Sequence, residues 1–383
     1  MDLIPEIVDE LESLALIDHH VHGTLTSNLD REGLEAVFTE SDRGRRPGVS
    51  NFDSQFGLAV RKWCAPVLGL EEFASAETYV AQRQKLGTPE VNNRLLRAAH
   101  LGGLLIDTGF AAGELLDVSE MSRAANAPTW EIVRLEAVAE SVVRDGTTPS
   151  SFSDQVRAAL EQSFLRGAVG TKSIAAYRYG LDVPAQRPSE AQVEQAVTQW
   201  LGEIVVSENI RITHPVLLSF LMWCAIDARK PLQFHVGYGD SDINLVRANP
   251  SLLTEFMRLA EASGTPIMLL HCYPYHRDAA YLAQIFPNVF FDIGEAINYA
   301  GMQSVQLIRE SFEIAPFAKQ LYSSDGWGPA ELHFLGSRLW RNGMATVLSQ
   351  WVNESHCGIV DAKRIVNMVG RSNAENVYGV ETF

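Results

Sequence analysis

Eight short apolar runs that alternate with helical stretches, each ending in glycine or a polar residue, predict an α/β protein of the (β/α)₈ TIM barrel class. The runs are Leu16 to Val21, Leu104 to Thr108, Ile132 to Val138, Ala168 to Ala175, Pro231 to Val236, Pro266 to Cys272, Val289 to Ile293 and Leu321 to Ser324. An open doubly wound sheet is the competing class. It would place a glycine-rich phosphate turn after the first strand, where this chain has Asp18, His20 and His22.

The first run, Leu-Ile-Asp-His-His-Val-His-Gly over 16–23, leads straight into those histidines. Side chains alternate along a strand, so His20 and His22 share a face and can share one ion. Residues 24–100 follow without a strand-like run. Leu34 to Thr39, Phe56 to Cys64 and Glu77 to Lys85 have helical spacing, and Ser41 to Ser50 is polar and rich in Arg and Gly. A large helical insertion or lid after strand 1 is the expectation, because long insertions in compact domains are usually functional or disordered. The tail over 331–383 is helical, in Glu331 to Leu348 and Ala362 to Tyr378, and is too short for a separate sandwich. The expected organisation is one barrel over 1–383, with no internal repeat.

The totals exclude several functions. Hydrophobic residues at 46% and charged residues at 20% describe an ordinary globular chain. A net charge of -16 argues against nucleic-acid or anionic-membrane partners, which attract basic faces. The opening residues lack the basic start and apolar core of a secretory signal, and Pro215 to Ile226 is too short to span a bilayer. The four cysteines are scattered, which suits a reducing compartment. These features predict a cytoplasmic protein, and a homo-oligomer is the default for soluble enzymes that assemble.

In such barrels functional side chains sit at the C-terminal ends of strands. His235 closes the fifth run, His271 the sixth and Asp325 the eighth, while Lys172 lies in the fourth. A lone strand histidine is usually hydrogen-bonded packing, but the joint placement points to a metal site. Imidazole and carboxylate together suit Zn, Mn, Fe or Ni better than Ca or Mg. Arg178, six residues past Lys172, could clamp a substrate carboxylate or tie a loop to Asp240 or Asp242. Glu295 could bind a substrate amine or hydroxyl, or cap a helix. Trp327 could wall a pocket or simply pack. His276 and His333 are secondary candidates, and His19, His100, His214 and His356 read as structural.

Asp18-x-His20-x-His22, His235, His271 and Asp325 resemble the amidohydrolase superfamily of metal-dependent hydrolases. Gly170-Thr-Lys-Ser-Ile-Ala-Ala-Tyr-Arg178, His235-Val-Gly-Tyr-Gly-Asp240, Asn249-Pro250, Phe291-Asp-Ile-Gly-Glu295 and Tyr322-Ser-Ser-Asp325 resemble its amidohydrolase-2 group. That group contains the domain fused to a glutamine-synthetase-like module in some fungal and plant proteins, and the resemblance implies a stand-alone form here. It implies that His20, His22, His235 and Asp325 hold a divalent metal, most readily zinc, with His271 a ligand or a neighbour polarising the substrate. Lys172 is either a carboxylated bridge between two ions or a plain ammonium. Asp325 would serve as general base toward metal-activated water, with Tyr177, Arg178, Glu295 and Trp327 about the substrate. The implied reaction is hydrolysis of a C–N amide of a small carboxylate-bearing compound, with γ-glutamyl amides the most specific guess. The rival expectations are a metal-dependent decarboxylase of aromatic acids, a sugar-acid isomerase, and a non-catalytic binding or regulatory barrel.

Overall fold

The structure, a computed structural model, describes residues 2–111 and 113–381. Seven strands form one sheet in the order of the chain: β1 (Leu16–Val21), β2 (Leu101–Asp107), β3 (Thr129–Arg134), β4 (Gly170–Ser173), β5 (Leu232–His235), β6 (Ile267–Leu270) and β7 (Val289–Phe291). The ladders are parallel, with helices in the crossovers, as the alternating pattern predicts. The fold is α/β and of the TIM-barrel-like type.

Three strands differ in detail from the expectation. β2 begins earlier, because Gly102 and Gly103 hide its start; a Cβ on Gly102 would lie 3.0 Å from the Ala15 carbonyl oxygen. β3 ends at Arg134 and a helix, Leu135–Arg144, takes over. Leu135 and Ala139 are buried at helical spacing, and a short apolar run does not distinguish the two structures by period alone. Residues 321–324 carry no strand ladder among the described residues. They still run beside β1: the Tyr322 carbonyl accepts from the His19 amide at 3.2 Å, and the Asp325 amide donates to the His20 carbonyl at 3.2 Å.

The described chain groups into two compact units, Met1–Trp130, Gly239–Ser241 and Asp292–Phe383 in one, and Glu131–Tyr238 and Asp242–Phe291 in the other. The first unit holds the insertion. Its helices include Arg31–Ala36, Gln55–Ala59, Ala76–Leu86 and Thr88–Ala98, with Asp30, Ser54 and Ser75 capping these first three, and Gln55–Ala59 runs on through Val60–Cys64 and Ala65–Val67. The polar stretch before Asn51 winds around Glu35, whose Oε2 accepts from Arg45, Ser50 and the Asn51 amide. The insertion is anchored by a buried ion pair. Arg83 Nε donates to Glu331 Oε1 at 2.7 Å and Tyr79 donates to the same oxygen at 2.8 Å. Glu331 begins the long helix Ala330–Asn353. Burial alone would raise its carboxyl, but the charge and hydrogen bonds of Arg83 outweigh this and hold it below the usual range. In the second unit the apolar helix Pro215–Asp227, capped by His214, packs on β5.

Candidate metal centre

Within the first unit His20, His22 and Asp325 converge. His20 Nε2 lies 3.2 Å and His22 Nε2 3.8 Å from Asp325 Oδ1, and all three residues are buried. Donors about 2.0–2.1 Å from a tetrahedral ion sit about 3.3–3.4 Å apart, so this donor set fits a zinc-like divalent cation in composition and spacing. The protein orients the ligands from behind. His22 Nδ1 faces the Asp107 carbonyl at 3.0 Å, and since a carbonyl only accepts, Nδ1 carries the proton and Nε2 presents its lone pair to the cluster. The His22 backbone is held too, with its carbonyl 3.0 Å from His333 Nε2. Burial pushes the His333 imidazole down to about 4, so at neutral pH it is an uncharged donor.

The turn carrying Asp325 is fixed by its own neighbours. The Asp325 amide donates to Ser323 Oγ at 3.1 Å, and Ser323 Oγ donates to the His20 carbonyl at 3.0 Å. Asp325 itself has φ +48°, a left-handed conformation that aspartate tolerates better than most residues. Next to it Gly326 packs against the His333 ring, where a Cβ would meet the imidazole at 2.6 Å. Asp18, in the same strand as His20, points elsewhere. Its Oδ1 accepts from the Ser324 amide at 2.9 Å, and burial, with the Asp325 and Asp292 charges, pushes its carboxyl up to about 8.

Glu295 sits immediately before the short helix Ala296–Ala300, with a carboxylate oxygen within 4.8 Å of one on Asp325. Trp327 stands two residues past Asp325. Its ring stands perpendicular to that of Phe110 with centroids 5.6 Å apart, the Phe110 and His22 ring centroids are 5.3 Å apart, and the Trp327 indole N–H donates to Glu40 Oε1 at 2.8 Å. Glu40 comes from the insertion and had no signal in the sequence. It also accepts from Tyr299 at 2.6 Å, and burial together with the Asp325 charge raises its carboxyl. His19, read as structural, bridges Asp292 at 2.9 Å and Tyr378 at 3.1 Å on the other face of β1.

The second unit makes its own cluster. The His235 and His271 rings lie 4.3 Å apart, and Tyr177 packs on His235 at 4.4 Å. Lys172 is buried on β4 in register with Gln233, which shares a face of β5 with His235. His271 and the adjoining Cys272 both have positive φ, +48° and +56°, as Asp325 does. Non-glycine residues held there are strained, and such strain gathers at functional sites. Gly237, at φ +76°, allows the Tyr273 carbonyl to come within 2.1 Å of where a Cβ would be. Arg178 pairs with Glu140 at 3.1 Å, while Asp242 pairs with Arg211 at 3.1 Å. His276 is buried in this unit and stacks on Tyr273 at 6.4 Å.

No family model matches the chain. It is 27% identical over 401 residues to Protein fluG of Emericella nidulans, a match covering 96% of this chain and 46% of that protein. The chain therefore spans about half the length of that curated relative. Among solved structures it is similar to a Lactobacillus casei protein assigned as a metal-dependent hydrolase, at a TM-score of 0.84 and 26% identity over 99% of this chain and 98% of that one. A uronate isomerase from Bacillus halodurans superposes at a TM-score of 0.67 with 13% identity over 98% and 96% of the two chains, a likeness of fold. The chain thus shares its TIM-barrel-like architecture with a metal-dependent hydrolase and a uronate isomerase, and it carries a His and Asp cluster of metal-binding type.

Proposed function

We propose that the protein is a metal-dependent hydrolase of the amidohydrolase-2 group that cleaves the C–N amide of a small carboxylate-bearing compound, with γ-glutamyl amides the first candidates. The observation that carries this reading is the convergence of His20 and His22 on Asp325 at ligand spacing. A divalent cation, zinc foremost, bound there supplies a Lewis acid and lowers the pKa of water toward neutrality. Asp325 is the proton acceptor, because its carboxylate is fixed by the Ser323 turn and lies beside both imidazoles. The same Asp325 then returns the proton to the departing amine nitrogen. His22 keeps its Nε2 lone pair forward through its Nδ1 bond to Asp107. Trp327 and Phe110 line one side of this group. The resemblance extends the ligand set to His235 and His271, and to Lys172 if two ions are held. The reading carries with it a cytoplasmic, homo-oligomeric enzyme.

The uronate isomerases share the fold, so a sugar-acid isomerase is the second reading. The zinc-loaded protein should release amine from γ-glutamyl amides or N-acyl amino acids in a coupled assay. Interconversion of uronates, or CO₂ release from aromatic acids, with no amine from any amide would overturn the hydrolase reading. Well below one equivalent of metal per chain, with no activity on adding zinc or manganese, would favour a binding module.

A further inference from the structure

In the second unit burial disfavours the charged form of Arg178; the nearby guanidiniums of Arg211 and Arg134 add to this, while the carboxylates of Glu140 and Glu136 oppose it. A guanidinium held out of water depends on anions close by. Two details bear on what anion Arg178 can take. Arg178 stands next to Tyr177, whose ring lies against His235, and the Tyr177 carbonyl accepts from Arg211 Nη2 at 2.9 Å. One residue thus links both guanidiniums to a candidate metal ligand. The Arg178 side chain is 11% exposed, and its Nε is buried with no hydrogen-bond partner. A buried, unsatisfied donor on a guanidinium is costly, and a carboxylate is the group whose two oxygens match the fork. The chain already places a carboxylate here: Glu140 Oε1 takes Arg178 Nη2 at 3.1 Å and the Ile212 amide, beside Arg211, at 3.0 Å.

We propose that Arg178 and Arg211 form a carboxylate-binding subsite beside Tyr177, with Glu140 on Arg178 and Asp242 on Arg211 as the internal anions that compete with the ligand for it. This rests on the proposed function only in naming the ligand a substrate group; the subsite itself is a binding claim. The test is isothermal titration of the purified chain, metal-loaded and after chelation, with glutarate, and with glutaramide as the uncharged control. Saturable glutarate binding is expected, weaker by tenfold or more in Arg178→Gln and in Arg211→Gln. Arg178→Lys should restore only part of it, because an ammonium keeps the charge and loses the fork. Glu140→Gln should tighten binding several-fold, which a merely structural role for the Arg178 ion pair would not produce. Absence of saturable binding, equal affinity for glutaramide, or unchanged affinity in both folded arginine variants would overturn the proposal. The last result would place any bound glutarate on the metal instead. Failure of the hydrolase reading would look different, as intact glutarate binding without amide turnover.

Discussion

At the scale of single residues the centre depends on Asp325, whose left-handed φ and paired imidazoles set it apart from the other buried carboxylates. Asp325→Asn keeps the shape and tolerates the same φ, so the fold should survive while turnover falls by about 10²–10⁴. Circular dichroism and steady-state rates check both halves, and near-normal turnover would remove Asp325 from the role. Its neighbour Gly326 has a purely steric task. Gly326→Ala drives a methyl into the His333 ring and should destabilise the protein by about 1–3 kcal/mol, read from urea unfolding. The convergence of His20, His22 and Asp325 was legible from residue type and position, because few side chains serve as metal ligands and these stand at predicted strand ends. Glu40 was not, since its partners Tyr299 and Trp327 are 259 and 287 residues away in the chain.

At the scale of elements, the insertion is held to the helix Ala330–Asn353 by Arg83, Tyr79 and Glu331. Arg83→Met leaves a buried carboxylate without its counter-ion and should cost about 3–5 kcal/mol. Pairing it with Glu331→Gln should recover much of that, because the two side chains act as one unit. The pH dependence follows from the direction of the Glu331 shift. Its folded carboxyl titrates below the ordinary glutamate value, so its contribution is fully present above that ordinary value and is lost as pH falls through the lower, folded one. The double variant should therefore lose less stability than the native chain on acidification below about pH 4.5, measured by urea midpoints across that range; parallel curves would contradict it. The insertion's helices were readable from their spacing and caps. The boundary between β3 and its helix was not, because Ile132 to Val138, with Arg134 and Glu136 set among apolar residues, is compatible with either period.

For the whole molecule, a resident cation that binds the folded chain alone must stabilise it. At a thousand times its dissociation constant the gain is about 4 kcal/mol, so chelation should lower the melting temperature and added zinc should restore it. An unchanged melting temperature in both directions would argue against a resident ion.

The amino-acid sequence by itself determined the class of fold and the chemistry available to it. Strand and helix periods are local, as are the paired histidines of β1, and a chain cannot hide them. Only the tertiary structure decided which polar groups meet. Glu331 finds Arg83, Glu40 finds Trp327, and Arg178 finds Glu140 beside Arg211. Those pairings answer to the desolvation of each group in its folded surroundings, a quantity that exists only once distant segments have packed together.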